Sequence, residues 1–131
     1  MIGLDSNIVV RLLVQDAAAQ LSRIQRAMAG ACSEADPALV NNIVLVETVW
    51  VLASAYGYTR REIAHAIEAL FQVKEIVLQN PDEAWEALTG YRRGNADFAD
   101  YFLAAINRRL GCNETLTLDR KAARTATFRA V

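Results

Sequence analysis

Apolar side chains recur along most of the chain at the three- and four-residue spacing of an amphipathic helix. Between these stretches lie short, mostly apolar runs, a pattern typical of buried strands. The predicted helices cover residues 8–13, 16–31, 43–56, 59–71, 80–93, 97–110 and 120–124. The predicted strands are Ile2–Leu4, Ala38–Val40, Glu75–Leu78 and Thr115–Leu118, with a weaker edge strand at Thr127–Val131. Strands that alternate with helices or helix pairs predict an α/β fold, in which helices cover both faces of a parallel sheet.

Several helix boundaries have a local chemical signature. The segment Thr59-Arg60-Arg61-Glu62 predicts a capping box, in which Thr and Glu side chains each bind a free backbone N–H group. Asn80 and Pro81 predict a cap and a first turn for the helix that follows. Gly57 and Gly111 predict helix ends.

Length and composition predict one soluble domain that spans residues 1–131. The hydrophobic fraction of 53% is enough to form a core. The 14 basic and 15 acidic residues give a formal charge of −1, so any binding of nucleic acid requires a local basic surface. The longest apolar stretch, Ile43–Ala55, is shorter than the about 20 residues that span a bilayer, and no signal peptide is expected. We therefore expect a cytoplasmic protein with no membrane association.

Two acidic residues follow predicted strands, Asp5 after the first and Asp119 after the fourth. The carboxyl ends of parallel strands meet at one edge of a sheet, where ligands usually bind. The sequence therefore predicts that both carboxylates lie at this edge. The alternative is that either residue simply caps the helix that follows it. Asp97 and Asp100 also fit a helix cap and its third helical position, where negative charge suits the helix dipole.

Glu47 and Asp100 have no basic neighbour at helical spacing. An unpaired carboxylate on an apolar helix face is costly if it is buried, and several carboxylates placed together raise one another's pKa. A divalent cation resolves this repulsion, and oxygen-only ligands favour Mg²⁺ or Mn²⁺ over zinc. The chain has one histidine, His65, and two cysteines outside any CxxC pair, which agrees with that choice. Such a site suits phosphodiester hydrolysis by metal-activated water.

Four segments resemble the acidic motifs of PIN domains, and together they cover essentially the whole chain. The segments are Leu4-Asp5-Ser6-Asn7-Ile8, Leu45–Leu52 around Glu47, Ala96–Ala105 around Asp100, and Thr117-Leu118-Asp119-Arg120-Lys121. Their order and spacing look most like the VapC toxin branch of bacterial toxin–antitoxin pairs. The resemblance implies a three-layer α/β/α fold around a central, mainly parallel sheet of four to five strands.

The resemblance also implies roles for individual residues. Asp5, Glu47, Asp100 and Asp119 would be the catalytic residues that bind Mg²⁺ or Mn²⁺, and the choice of Asp100 over Asp97 rests mainly on the family pattern. Asp97 would assist through water, while Asn7 and Thr117 would orient the carboxylates. The implied partners are an RNA substrate, tRNA among the candidates, a second copy of the chain and a cognate antitoxin protein. Tyr101 departs from the family pattern, because a small or apolar residue more often follows the third acid.

The basic and aromatic residues near the proposed edge can each be interpreted in two ways, as nucleic-acid contacts or as ordinary surface and core residues. The candidates for phosphate contact are Arg11, Arg92, Arg93, Arg120 and Lys121, although any one of them also fits a solvated charged face. Trp50 and Trp85 fall within apolar helical patterns, so we predict that they belong to the core and do not stack on bases.

Two alternative functions stay open. A PIN-like module without catalysis could serve as an RNA- or protein-binding domain, which the near-neutral charge allows. A phosphatase with an aspartyl nucleophile also has an Asp after its first strand, but it usually needs a second Asp two residues later. Asn7 occupies that position, so this alternative ranks last.

Overall fold

The computed structural model describes all 131 residues and divides them into two compact units, Met1–Gln79 and Asn80–Val131. The first unit contains four helices: α1 (Ser6–Val14), α2 (Ala18–Ala31), α3 (Asn42–Ser54) and α4 (Arg60–Gln72). Its strands are β1 (Ala38–Val40) and β2 (Ile76–Leu78). The second unit contains α5 (Pro81–Arg93), α6 (Phe98–Arg109), β3 (Thr115–Thr117), a short 3₁₀ helix (Ala122–Arg124) and β4 (Phe128–Ala130).

Strands of the first unit are parallel, as the alternation of strands and helices predicts. β1 pairs with β2 in the register Ala38 to Ile76. On its other side β1 meets the chain start, where Leu39 donates a 2.8 Å hydrogen bond to the Ile2 carbonyl and Leu4 donates a 2.9 Å bond to the Leu39 carbonyl. The predicted first strand is therefore a single parallel bridge at Gly3 that ends just before Asp5.

The second unit has its own parallel pair, in which β3 aligns with β4 through Thr115 and Phe128. The weak edge strand predicted at the C-terminal end is thus present. All four named strands contain three residues each, and they form two separate two-stranded pairs. This confirms the α/β class and the parallel direction; β1 has the predicted bounds, whereas β2, β3 and β4 are each shorter than the sequence predicts.

Local signatures positioned several helix ends correctly. Thr59 and Glu62 form the predicted capping box, with Thr59 accepting from the Glu62 N–H and Glu62 accepting from the Thr59 N–H. Gly111 has a φ of +100°, in the left-handed region that glycine tolerates best, and it follows the end of α6. Asn80 takes the cap position of α5 but does not accept a capping bond; its amide instead donates to Glu83 at 3.3 Å.

The cores of the two units are assembled from different residue types. In the first unit the fully buried residues are mainly aliphatic, including Val9, Val40, Leu45, Leu52 and Leu70. In the second unit small alanines surround an aromatic group: Tyr91 meets Phe98 edge-on at 6.0 Å between ring centroids, and Phe98 meets Phe102 at 5.6 Å. This aromatic contact joins α5 to α6 and fixes the start of α6, where Asp97 and Asp100 lie.

The prediction that Trp50 and Trp85 belong to the core is wrong. Trp50 is 67% exposed and Trp85 is 45% exposed. The apolar residues of α3 are spread around the whole helix, so its hydrophobic pattern does not indicate which face points inward. The buried side is the line of Leu45, Thr48 and Leu52, which leaves Trp50 on the outside. No helix is long and apolar enough to cross a membrane.

Candidate functional site

Asp5 follows the first parallel segment and begins α1. Its Oδ1 accepts a 3.1 Å hydrogen bond from the Ile8 N–H, so the residue is the N-cap of the helix. The side chain is exposed, and its second oxygen makes no hydrogen bond. Capping therefore uses one carboxylate oxygen, and the other is available to a cation. The two readings of Asp5, a cap and a metal ligand, are compatible.

Glu47 is held by the residue next to Asp5. The Ser6 hydroxyl donates a 2.6 Å hydrogen bond to Glu47 Oε1, across the contact between α1 and α3. Ser6 is buried, with 7% of its surface exposed, whereas Glu47 is exposed. The structure thus provides Glu47 with a partner on another helix, which the comparison of neighbours along α3 could not find. The sequence does not single out Ser6, although a small polar residue just before the apolar part of α1 could have indicated a buried hydrogen bond.

The other polar residues of this segment have different surroundings. Asn7 is exposed and its side chain makes no hydrogen bond. Arg11 donates from Nη1 to Asp16 Oδ1 at 3.0 Å and to the Tyr56 hydroxyl at 2.7 Å. Its guanidinium is therefore already engaged within the first unit, which weakens the case for Arg11 as a phosphate contact.

In the second unit three acidic residues, Asp97, Asp100 and Asp119, lie close enough for their charges to interact. Asp97 is the exposed N-cap of α6 but makes no capping bond, and Asp100 lies half-buried in the first turn. Burial raises the pKa of Asp100, and the negative charges of Asp97 and Asp119 raise it further. A backbone hydrogen bond at Asp97 lowers the pKa only in part. Asp119 is therefore close enough to α6 for its charge to be felt at Asp100.

Asp119 is fixed by a tight turn after β3. Its Oδ1 accepts hydrogen bonds from the backbone N–H groups of Lys121 at 2.8 Å and Ala122 at 3.3 Å. The Thr117 hydroxyl accepts from the Asp119 N–H at 3.0 Å, so Thr117 orients the backbone that carries the carboxylate. Asp119 thus binds the backbone of the turn that leads into the 3₁₀ helix, although the cap position of that helix is Lys121. As with Asp5, the second carboxylate oxygen is left without a hydrogen bond.

The predicted basic residues of the second unit are exposed. Arg92 and Arg93 lie in the last turn of α5, and Arg120 and Lys121 lie between Asp119 and the 3₁₀ helix. Two basic residues that the sequence interpretation did not select, Arg108 and Arg124, line the same pocket as Arg93 and Lys121. Their positions depend on how α5, α6 and the C-terminal turn pack, which sequence spacing does not reveal.

The chemistry of these side chains fits a hard divalent cation. Asp5, Asp100 and Asp119 offer carboxylate oxygens, and the pKa of Asp100 shows the repulsion that a cation would relieve. Within neither unit are three acidic, histidine or cysteine side chains already positioned around one point. The donor type therefore fits a metal ion, but no unit contains a complete preformed site.

Comparison with known proteins agrees with this chemistry. The PIN domain family matches residues 2–127, nearly the whole chain. No curated protein and no solved structure matches it. The family has a three-layer α/β/α fold, which confirms the predicted fold class, and its members are generally nucleases that depend on divalent metal. The chain therefore belongs to the PIN domain family of nucleases.

Proposed function

We propose that this protein is a Mg²⁺- or Mn²⁺-dependent endoribonuclease whose metal ligands are Asp5, Glu47, Asp100 and Asp119. The observation that carries the proposal is that half-buried Asp100, in the first turn of α6, lies near Asp97 and Asp119, so that burial and these two charges raise its pKa. Carboxylates that repel one another cost stability, and a site that retains them is a candidate for function. Family membership supplies the reaction class, since PIN domains are generally nucleases.

Each side chain has a task that follows from its contacts. Asp5 and Asp119 are held by backbone N–H groups through one oxygen, so the other oxygen is presented in a fixed direction. Ser6 fixes the rotamer of Glu47, and Thr117 fixes the turn at Asp119. Asp97 adds negative charge beside Asp100. When bound, a divalent metal supplies a water of lowered pKa and stabilises charge on the phosphate oxygens.

Cleavage of RNA tests the proposal. Purified protein is incubated with total RNA and with tRNA, in Mg²⁺, in Mn²⁺ and in EDTA. Asp5→Asn and Asp100→Asn should each reduce the rate at least 100-fold, because the neutral amide is a poorer metal ligand. Glu34→Gln, an exposed loop residue, removes the same charge and should leave the rate unchanged. Equal rates for wild type and both Asp variants would refute the proposal.

We further propose that the enzyme is the toxin of a toxin–antitoxin pair and acts in the cytoplasm. A groove of about 800 Å³ in the first unit supports a partner protein. Apolar Leu4, Ile8, Ile24 and Met28 line it together with Arg11, Arg23 and Arg26. This combination suits a helix with one apolar face and acidic flanks, as an antitoxin could offer. Growth arrest on expression, relieved by the product of a short adjacent gene, is the expected result; harmless expression would contradict it.

Self-association belongs to the same proposal. Ile43 is 74% exposed and Trp50 is 67% exposed, both on α3, and large exposed apolar groups are typical of protein interfaces. We expect a homodimer at micromolar concentration, which Trp50→Glu should dissociate. Analytical ultracentrifugation measures the change, and a monomeric wild type would contradict it.

A catalytically silent binding module is the second candidate. It is favoured by one observation, the lack of three preformed metal-binding side chains within either unit. Such a module should show no rise in melting temperature with Mg²⁺ or Mn²⁺ and no RNA cleavage. The aspartyl phosphatase stays last, because Asn7 stands where its acid–base Asp belongs; a covalent phosphate on Asp5 would revive it.

A further inference from the structure

A pocket in the second unit is rich in basic residues that no other interaction uses. It has a volume of about 420 Å³, large enough for a nucleotide. Arg93 lines the pocket from the end of α5. Lys121 lines it from the turn before the 3₁₀ helix, and Arg124 from the last residue of that helix. None of these three side chains makes an ion pair or a hydrogen bond within the protein. Three unpaired cations around one cavity are an anion-binding arrangement.

The only acidic residue in the wall does not neutralise these cations. Glu86 is bound to Arg108, which also lines the pocket. That hydrogen bond and the Glu86 charge raise the pKa of Arg108. The positive charge of Arg108 and the negative charge of Glu86 therefore cancel within this pair. The pocket therefore keeps the positive charge of the other three residues, although the whole chain has a formal charge of −1.

Thr127 is a second and independent sign of a ligand site. Its hydroxyl oxygen is buried and has no hydrogen-bond partner. Its φ is +77°, a left-handed conformation that a β-branched residue rarely adopts. The Thr127 carbonyl accepts a 2.7 Å bond from the Thr115 N–H, so pairing at β3 and β4 holds this strained residue in the pocket wall. Strain and an unused polar group together are typical of functional sites.

The pocket begins beside two of the proposed catalytic acids. Tyr101, directly after Asp100, forms part of its wall. Lys121 also lines it, and the Lys121 N–H donates to Asp119. A strand held at Asp100 and Asp119 would therefore have its next phosphate within reach of the basic residues.

We propose that this pocket is a subsite for a phosphate group of the nucleic-acid strand, next to the phosphate that is cleaved. Arg93, Lys121 and Arg124 would bind the phosphate oxygens, and the Thr127 hydroxyl would donate the remaining hydrogen bond. Phosphate binding stands on the pocket alone, whereas its assignment to an RNA strand rests on the nuclease function proposed above.

Binding of RNA in EDTA tests the subsite without requiring cleavage. The probe is a 3′-fluorescein-labelled single-stranded RNA of eight nucleotides, followed by anisotropy over a range of salt concentrations. The Lys121→Gln/Arg124→Gln variant should bind about 10-fold more weakly. Each lost phosphate contact should also reduce the slope of log K against log salt by about 0.7. Equal binding by this variant and wild type would overturn the proposal.

A matched control separates the pocket from general loss of charge. Arg61→Gln/Lys74→Gln removes two charges from exposed positions of the first unit and should change affinity less than twofold. An equal loss in both double variants would overturn the proposal. Thr127→Val keeps the branched shape but removes the hydroxyl, and about threefold weaker binding is expected. This single variant keeps the test valid if the pocket double variant fails to fold.

Competition identifies the source of the phosphate. Unlabelled RNA should displace the probe at far lower concentration than inorganic phosphate or adenosine 5′-monophosphate. Displacement by the monophosphate as effective as that by RNA would overturn the strand assignment in favour of a free nucleotide. Equal displacement by oligoglutamate of the same charge would overturn the phosphate assignment. Asp100→Asn should abolish cleavage and retain pocket-dependent binding; binding without any wild-type cleavage would refute only the nuclease function.

Discussion

The buried hydroxyl of Ser6 and the exposed carboxylate of Glu47 form a 2.6 Å hydrogen bond between α1 and α3. Hydrogen bonds to a charged acceptor are stronger than neutral ones and restrict its rotamer. Ser6 follows Asp5 directly, so one short segment caps a helix and positions a second acid. Glu47 is thus a side chain held in place by another helix and not an isolated charge on an apolar face.

Ser6→Ala should therefore affect activity more than fold. Loss of the charge-assisted bond costs about 1 kcal/mol of stability, and residues that orient metal ligands typically change activity 10- to 100-fold. We expect about a 10-fold lower rate of RNA cleavage, measured at saturating Mg²⁺ beside thermal unfolding. Ser6→Thr retains the hydroxyl and should recover most of the rate. Full activity of Ser6→Ala would show that Glu47 needs no positioning.

Tyr101 and Gly90 form a pair that no sequence pattern indicates. A Cβ at Gly90 would lie 2.6 Å from Cδ1 of Tyr101, and a Cβ at Gly94 would lie 3.1 Å from its Cζ. The large residue after Asp100 is thus accommodated by Gly90 in the last turns of α5 and by Gly94, which directly follows the helix. Without those glycines, the ring would have to move away from its present contact with α5.

Gly90→Ala should consequently have opposite effects in two backgrounds. In the wild-type protein the clash should lower the free energy of unfolding by about 1–3 kcal/mol, despite the better helix propensity of Ala. In a Tyr101→Ala background the clash is gone, and the same change should stabilise by up to about 1 kcal/mol. Urea denaturation of the four proteins gives both values. Stabilisation in both backgrounds would mean that the ring moves aside at no cost, and destabilisation in both would mean that Tyr101 is not the cause.

The fold was largely predictable because its elements have local causes. The Thr59 capping box, the Pro81 helix start and the stop at Gly111 each satisfy or end a helix by short-range chemistry. The strand positions also follow from short apolar runs. The orientation of α3 was predicted wrongly, because the apolar residues of this helix are spread around it and Trp50 is exposed.

The site could be predicted only in part for a similar reason. Asp5 and Asp119 follow strands, so their place in the chain is enough to select them. The contact of Ser6 with Glu47 joins residues 41 positions apart, and the wall of the basic pocket joins Arg93 to Thr127. Such contacts depend on how the helices pack, and helix packing cannot be derived from the spacing of residues in a single sequence.

Arg109 and Glu83 offer a test of how the second unit is held together. Arg109 Nη1 donates to both carboxylate oxygens of Glu83, at 3.1 and 3.2 Å, and Glu83 is 8% exposed. Burial raises the pKa of Glu83, but the hydrogen bonds from Arg109 and Asn80 and the Arg109 charge outweigh it, so the pKa is lowered overall. A lowered pKa means that this carboxylate contributes stability while it is ionised.

Arg109→Met should lower the free energy of unfolding at pH 7 by about 1 kcal/mol, a value reduced from that of a buried pair because Arg109 is 59% exposed. The contribution is complete above the unfolded-state pKa of Glu83 and disappears as the pH falls through the folded-state pKa. Arg108, the residue before Arg109 on α6, forms an exposed pair with Glu86 on α5. Arg108→Met removes this pair and should change stability little. Denaturation of both variants from pH 7 to pH 3 makes the comparison; equal losses would contradict the structure.

Asp100→Asn should stabilise the metal-free protein at neutral pH. Burial, Asp97 and Asp119 raise the pKa of Asp100, so the folded state binds its proton more tightly than the unfolded state does. The ionised carboxylate therefore costs stability at pH values above the folded-state pKa, and the cost vanishes below the unfolded-state pKa. In EDTA the variant should melt at a higher temperature than wild type at pH 7, with the difference shrinking as the pH falls.

Glu34→Gln, which removes an exposed loop charge, should show no such dependence of the melting temperature on pH. Addition of Mn²⁺ should then raise the melting temperature of wild type more than that of the variant, because the cation relieves the repulsion only where the carboxylate is present. A variant less stable than wild type in EDTA at pH 7 would show that Asp100 contributes to the fold and is not held there at a cost.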